Sequence, residues 1–189
     1  MRKILLPLAV LLCGAGCVVQ SLQPWLSDET RVDEPSLLGT WHDAKEKATA
    51  FFSESDDSNY DYNVLMVTDN KNTARFTASL HKLDEQYVLT VGPDDPDNLN
   101  GVVLLPGYLL LKVELDVDSL KLYGIELDTF RERAEKAQVT LVPESKDSGD
   151  ILAGGTAEVE AFVRAQLADP EFFDAKPLYS FRKLPAATP

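Results

Sequence analysis

The chain has 189 residues with 18 basic and 31 acidic side chains, so its formal net charge is −13. A field of that sign repels nucleic acid and anionic lipid headgroups, which excludes nucleic-acid binding. Its two cysteines are Cys13 and Cys17, so a domain that begins after them has no disulfide, thiolate metal site or nucleophilic cysteine.

The start of the chain has the composition of an export signal. Arg2 and Lys3 precede an apolar run over 4–12 that is interrupted by Pro7, and small residues then lead to Cys17. This run is too short to cross a bilayer as a helix, which takes about 20 residues, but it suits the core of a signal peptide. The pattern therefore predicts a signal peptide over residues 1–16.

The segment before Cys17 resembles the bacterial lipoprotein signal, in which small residues precede a cysteine that receives a diacylglycerol thioether. Ala15 and Gly16 fit the two positions before the cysteine, whereas Gly14 stands where that family usually has leucine. The resemblance implies that Cys17 becomes the lipidated N-terminus and that its acyl chains attach the protein to the membrane of the cell envelope. Val18 is not the aspartate associated with inner-membrane retention, which implies the outer membrane if the cell is Gram-negative. An ordinary secretory signal with a chance cysteine is the alternative.

Residues 17–35 are polar and acidic and have no clear periodicity, which predicts a flexible tether behind the lipidated Cys17. Trp25 either docks on the domain or is loosely held. Loss of residues 1–16 leaves 16 basic and 31 acidic side chains, a formal charge of −15, so acyl chains rather than a basic face are expected to bind the membrane. The folded domain is expected over 36–184, a size typical of one domain, and 185–189 is expected to be a frayed tail.

Alternation of apolar and polar residues dominates the middle of the chain and indicates β-strands. Turns at 69–72 and 84–85 and short connections favour an antiparallel meander, with a last strand over 178–184. The apolar positions that share a face are Ala74, Phe76, Ala78 and Leu80 in one strand, Tyr87, Leu89 and Val91 in the next, and Leu109, Leu111, Val113 and Leu115 in a third.

Two segments have helical spacing. Asp128 is the expected cap of a short helix, and Thr156 is the expected cap of a second one that ends at Asp169-Pro170. The apolar faces are Phe130, Ala134 and Ala137 in the first helix and Val159, Phe162, Val163 and Leu167 in the second.

Gly39-Thr40-Trp41, just inside the first predicted strand, resembles the opening signature of the lipocalin-like (calycin) barrels. In that family the tryptophan closes one end of the barrel and stacks against a basic residue of the last strand. The resemblance implies a structural role for Trp41, with Arg182 or Lys183 as the cation in a contact worth about 0.5–2 kcal/mol. The order of strands and a short helix after residue 108 also resembles bacterial envelope lipoproteins of uncharacterised type, which adds support for the fold alone.

These patterns predict a mainly β domain with minor α content. The expected architecture is a single antiparallel lipocalin-like barrel, or a strongly curved sheet, of about eight strands with a helix of the C-terminal half packed on it. Closure would remove exposed strand edges, which suits a small exported domain without disulfides. An open sheet with helices on one face is the alternative.

The leading functional hypothesis is a non-catalytic envelope lipoprotein that binds a small apolar molecule in the barrel mouth. Phe76, Tyr87 and Tyr108 are the candidate pocket residues. His81 lies on the polar face of its strand, which is the outer face if the aliphatic side is the core. In a hollow barrel that assignment could invert, and His81 would then line a polar pocket.

Two other functions remain open. An interaction or assembly module with a filled barrel would bind an envelope protein and would expose an apolar patch. A hydrolase would need His42 or His81 within hydrogen-bond reach of a Ser, Asp or Glu in a cleft.

No cofactor or metal is predicted. The loop from Pro93 to Gly101 is the best metal candidate because carboxylates and amides suit calcium, but aligned to the EF-hand pattern it puts Pro96 at the first ligand position. A solvated acidic loop is therefore favoured. Gly154-Gly155 before a helix could hold an anion, although a flexible helix entry is the commoner explanation.

Overall fold

A computed structural model of the chain describes residues 19–56, 60–69, 72–93, 107–142 and 150–185. Cys17, the predicted signal peptide and positions 94–101 of the metal-candidate loop lie outside them. The strands are β1 (Gln20–Ser21), β2 (Gly39–Asp43), β3 (Ala48–Glu54), β4 (Asp61–Thr68), β5 (Thr73–Leu83), β6 (Gln86–Pro93), β7 (Leu109–Leu115), β8 (Ser119–Tyr123), β9 (Ile151–Leu152) and β10 (Tyr179–Lys183), and the helices are α1 (Phe130–Lys136) and α2 (Thr156–Gln166).

Eight of the described strands form a closed antiparallel barrel in the order β10-β2-β3-β4-β5-β6-β7-β8, and β8 pairs with β10 to complete the ring. The predicted mainly β barrel is confirmed, and the open sheet is wrong. The long strand β5 occupies the whole span between the two predicted turns, at 69–72 and 84–85. It turns into β6 through a two-residue hairpin in which Asp84 has a φ of 53°, the left-handed conformation that tight hairpins require.

The barrel interior is lined by the aliphatic and aromatic faces of the strands. Because side chains alternate across a strand, Ala78 and Leu80 of β5 point inward while Ser79 and His81 point outward. Paired residues of neighbouring strands share a face, so the inward set continues around the ring. Its fully buried members include Trp41, Tyr62, Leu80, Leu89, Leu120 and Phe181.

A second apolar core lies outside the barrel, between one wall and the two helices. Val88 and Leu110 of that wall pack in the same cluster as Phe130 of α1 and Phe162 of α2, whose rings meet edge to face at 5.8 Å. The predicted inner faces of both helices are therefore confirmed, except that Ala137 is exposed at the end of α1. Neither helix of the described ranges has the length and apolar character needed to cross a bilayer.

Both helix starts differ from the predicted caps. The cap position of α2 is Gly155 rather than Thr156, and no side chain bonds the helix start there. Before α1, the Glu126 carboxylate accepts hydrogen bonds from the backbone N–H groups of Asp128 and Thr129, at 2.9 and 3.0 Å. A carboxylate suits this place because the positive end of the helix dipole attracts negative charge.

Residues 19–37, here called the N-terminal strap, run along the outside of the barrel. The prediction of a flexible tether over 17–35 is wrong for the part of it that the structure describes. Trp25 is fully buried in the outer core, and its indole N–H donates to the Tyr108 carbonyl at 2.7 Å. Val19 and Leu26 are buried with it. The apolar side chains of Val19, Trp25 and Leu26 therefore hold this part of the strap on the outer core.

Candidate ligand site

One end of the barrel interior is an unfilled cavity of about 170 Å³. Its half-buried lining residues, among them Met66, Phe76 and Leu109, come from the end of β4, the start of β5 and the start of β7. These strand ends lie at the same rim, here called the mouth end. The lining is almost wholly apolar and comprises Ala50, Phe52, Val64, Met66, Phe76, Leu89, Val91, Leu109, Leu111, Leu122, Tyr179 and Phe181.

Tyr179 supplies the one hydroxyl group among the described lining residues, and it stands at the mouth end because β10 starts there. Its ring stacks on Phe181 with the centroids 5.2 Å apart. Burial, and then the negative charges of Glu46 and Asp43, raise the pKa of the Tyr179 phenol. The phenol is therefore protonated at neutral pH and can donate a hydrogen bond to a polar group at the mouth.

Asp43 fixes the rim beside Tyr179. Its buried carboxylate accepts hydrogen bonds from the backbone N–H groups of Lys45 and Glu46, at 2.8 and 3.0 Å, and of Ser180, at 2.6 Å. Burial acts to raise the pKa of Asp43, but these three bonds outweigh it and hold the pKa below its usual value. The carboxylate thus ties the β2–β3 turn to the first residues of β10.

The opposite end, here called the closed end, is sealed around Trp41. The fully buried Leu37 of the strap packs in the interior core, and its carbonyl accepts the Trp41 indole N–H at 2.7 Å. The Lys183 ammonium lies 5.0 Å from the centroid of the Trp41 ring and donates to the Ser36 carbonyl at 2.6 Å. The contact between a cation and this tryptophan, which the resemblance to lipocalin-like barrels implies, is thus present.

Of the two basic residues considered for that contact, the structure selects Lys183 and not Arg182. Lys183 is the register partner of Trp41 and shares its inward face, whereas Arg182 pairs with His42 and points outward. Arg182 forms an ion pair with Asp118 at 3.3 Å, and both side chains are 73% exposed. Assigning Arg182 to barrel closure was therefore wrong.

The four candidate pocket residues do not converge. Phe76 lines the cavity. Tyr87 packs against the interior core near the closed end, with the Lys82 ammonium 5.6 Å from its ring centroid. Tyr108 and His81 lie outside the barrel, where both line a separate cleft of about 230 Å³ between the strap and the barrel wall.

His81 is held between the strap and β6. One ring nitrogen lies 2.8 Å from the Thr30 hydroxyl and the other 3.1 Å from the Thr90 hydroxyl. Burial, and then the positive charge of Arg31, lower the pKa of His81 from 6.5 to about 4. The imidazole is therefore neutral at pH 7. The inverted arrangement, with His81 facing into the barrel, is wrong because the aliphatic face of β5 fills the interior.

The described residues assemble no catalytic contact of the kind that the hydrolase hypothesis requires. The bonded partners of His81 are threonine hydroxyls, and His42 lies 3.0 Å from the hydroxyl of Thr49. In the part of the chain that the structure describes, His, Cys, Asp and Glu side chains form no cluster of three that could hold a metal ion.

The start of α2, considered above as an anion site, is covered by the chain's own carboxylate. Glu158 accepts the backbone N–H of Thr140 at 2.7 Å. A Cβ atom added to Gly154 would lie 2.7 Å from the same carboxylate. The glycine therefore makes room for Glu158, which explains its presence without an external anion.

Sequence reasoning missed most of the cavity lining. Met66 and Tyr179 were never candidates, although each shares an inward face with a residue two positions along its strand, Val64 and Phe181 respectively. Alternation could have found them. It could not have shown which barrel end is open, because that depends on where Leu37 packs.

No family model, curated protein or solved structure matches this chain.

Proposed function

We propose that this chain is a non-catalytic, lipid-anchored envelope protein whose barrel binds a small apolar molecule, or the apolar end of a larger one. The cavity of about 170 Å³ at the mouth end is the single observation that carries the binding function. Its walls are aliphatic and aromatic, so a bound apolar group would leave water without losing hydrogen bonds.

The size of the cavity restricts the ligand. Pockets for drug-sized molecules usually span about 300–1,000 Å³, whereas a buried apolar cavity of about 150 Å³ binds benzene in another protein. A group of benzene size therefore fits, and a larger ligand would have to extend out past the mouth. There the phenol of Tyr179 offers a hydrogen bond to a polar end.

Alkylbenzenes of increasing chain length test the binding function, with the thermal unfolding of the domain as readout. A ligand present at ten times its Kd adds about 1.4 kcal/mol to the unfolding free energy. Ala50→Leu should abolish that gain because the added side chain fills the cavity, while Ala165→Leu makes the same change on the exposed side of α2 and should keep it. Val91→Phe is a second filling variant.

Two outcomes would contradict the binding function. Absence of stabilisation by any member of the series would mean that the cavity takes no apolar ligand. Equal stabilisation of the folded Ala50→Leu and Val91→Phe variants would mean that the ligand binds elsewhere.

The N-terminal sequence supports the anchor. Cys17 follows small residues and a short apolar run, as in bacterial lipoprotein signals, and Val18 favours delivery to the outer membrane. Intact mass of the membrane-extracted protein should show acyl chains on an N-terminal Cys17. The Cys17→Ser variant should lose that mass and should no longer sediment with membranes.

A second candidate function, an interaction module for an envelope protein, is favoured by the partly exposed outer wall of β3 and β4. Phe51 is 39% exposed there and lines a groove with Leu65 and Arg75. A photo-crosslinking amino acid at Phe51 should then capture one discrete envelope protein, whereas the same probe at Val117 should not. Equal or absent crosslinking at the two positions would remove this candidate.

A further inference from the structure

The chain enters the folded domain at the mouth end of the barrel. Ser21 pairs with Tyr108, which directly precedes β7, and their backbone N–H and carbonyl groups exchange hydrogen bonds of 3.0 and 2.8 Å. The next residue, Leu109, lines the cavity. Val19 is two positions before Ser21 and only 2% exposed, so it is packed close to the cavity rim.

From there the strap runs toward the closed end. The Ser27 N–H donates to the Glu160 carboxylate at 2.8 Å, and the Val32 N–H donates to the Leu80 carbonyl at 2.9 Å. Leu37 then enters the interior core beside Trp41. The strap is therefore attached along its length to the folded domain, through α2 and the barrel wall, and does not act as a spacer.

Its packing changes the distance between the domain and any anchor on Cys17. A flexible tether of about 18 residues would have a root-mean-square length of roughly 23 Å, which would let the domain tumble above a membrane. With Val19 packed, only Val18 separates Cys17 from the folded domain, and two peptide units span at most about 7 Å.

Resting on the proposed acylation of Cys17, we infer that the bilayer surface is the partner of the mouth end of the barrel. The short connection holds the mouth end against the membrane and the Trp41 end away from it. An apolar ligand leaving the membrane then meets the end of the barrel that holds the cavity. This orientation follows from the acylated Cys17 and the packed strap together, and neither of them predicts it alone.

Quenching of two single-cysteine probes tests this orientation. The acylated full-length mature protein is reconstituted in phosphatidylcholine vesicles that carry a nitroxide quencher on the lipid headgroup. Lys45→Cys places a fluorophore on the β2–β3 turn at the mouth end, and Val117→Cys places it on the β7–β8 turn at the closed end. The two native side chains are 86% and 88% exposed, and acylation occupies the thiol of Cys17.

β7 runs from the mouth end to the closed end, and its seven residues set the two ends about 20 Å apart. Quenching at Lys45→Cys should therefore be at least about twice that at Val117→Cys. Insertion of twelve Gly and Ser residues between Val18 and Val19 should bring the two values close together, since the domain would then tumble. Equal quenching without the insertion would overturn the inference, and so would a difference that survives the insertion.

The same samples separate this failure from failure of the anchor. If the protein is acylated and floats with the vesicles but the two probes are quenched equally, the orientation is wrong and the anchor stands. If mass spectrometry finds Cys17 unmodified and the protein does not float, the anchor is wrong and the inference falls with it. Alkylbenzene binding by the domain is unaffected in either case.

Discussion

Replacing Trp25 by alanine should destabilise the domain by about 3–5 kcal/mol, the usual range for loss of a buried tryptophan. Trp25 is fully buried in the outer core. An aromatic side chain of this kind buries about 150–250 Å², which corresponds to roughly 4–6 kcal/mol at 25 cal/mol per Å² and is an upper estimate. The two routes therefore agree on a loss that is a large fraction of the stability of a typical domain.

Trp25→Phe separates packing from hydrogen bonding at the same site. This variant loses the bond from the indole N–H to the Tyr108 carbonyl, but that carbonyl still accepts the Ser21 N–H at 3.0 Å. Because no buried acceptor is left unpaired, the cost should be only about 1–2 kcal/mol. Gln23→Ala, an exposed change in the same strap, should stay within about 0.5 kcal/mol of the parent.

Urea unfolding of the domain without residues 1–17, followed by circular dichroism, measures these differences as changes in midpoint at constant slope. A loosely held strap would make all three variants indistinguishable within about 0.5 kcal/mol. That result would refute the packed strap, and with it the short connection between the proposed anchor and the barrel.

Three further changes test other contacts. His81→Gln should flatten the pH dependence of stability between pH 6.5 and about 4, because in that window the imidazole binds a proton in the unfolded chain but not in the native one. In urea titrations the parent should therefore lose about 3 kcal/mol relative to the variant as the pH falls from 6.5 to about 4. Lys183→Met should cost about 1–3 kcal/mol because it removes both the cation over Trp41 and a partly buried hydrogen bond, while Arg182→Met should cost less than about 0.5 kcal/mol. Equal costs in urea titrations would contradict the assignment of barrel closure to Lys183. Asp43→Asn should cost about 1–3 kcal/mol at neutral pH. This cost should shrink as the pH falls below 3.8, because a carboxylate with a lowered pKa stabilises the fold only while it is ionised. A constant cost down to about pH 2 would contradict the stabilising role of the ionised Asp43.

Local patterns predicted most of the barrel because its strands carry their own signal. The alternation in β5 gave both its bounds and its inward face, and the helical spacing in α2 gave its buried side. The same logic was sufficient to choose Lys183 over Arg182, since Phe181 and Lys183 share a face of β10. The error came from treating two adjacent basic residues as equivalent when a strand sends them to opposite sides.

The packing of the strap and the position of the cavity opening depend on contacts that no local pattern encodes. Val19, Trp25 and Leu26 are irregularly spaced among polar residues, so their burial follows from the apolar outer wall on which they pack. Tyr108 was a candidate pocket residue, but its backbone pairs with Ser21 of the strap, outside the ring. The position of the opening depends on Leu37 filling the other end. Each of these features depends on contacts between segments that are distant in the sequence.

Pairing of β2 with β10 joins the first and last strands of the ring, and the bond from Lys183 to the Ser36 carbonyl spans 147 positions of sequence. Contacts between such distant residues slow folding, because the entropy of closing a long loop is lost before the contacts form. A nascent chain that ends before Tyr179 must therefore wait with the edges of β2 and β8 unpaired, and those edges can associate with other chains. The ring can therefore close only after β10, the last of its strands along the chain, has been synthesised.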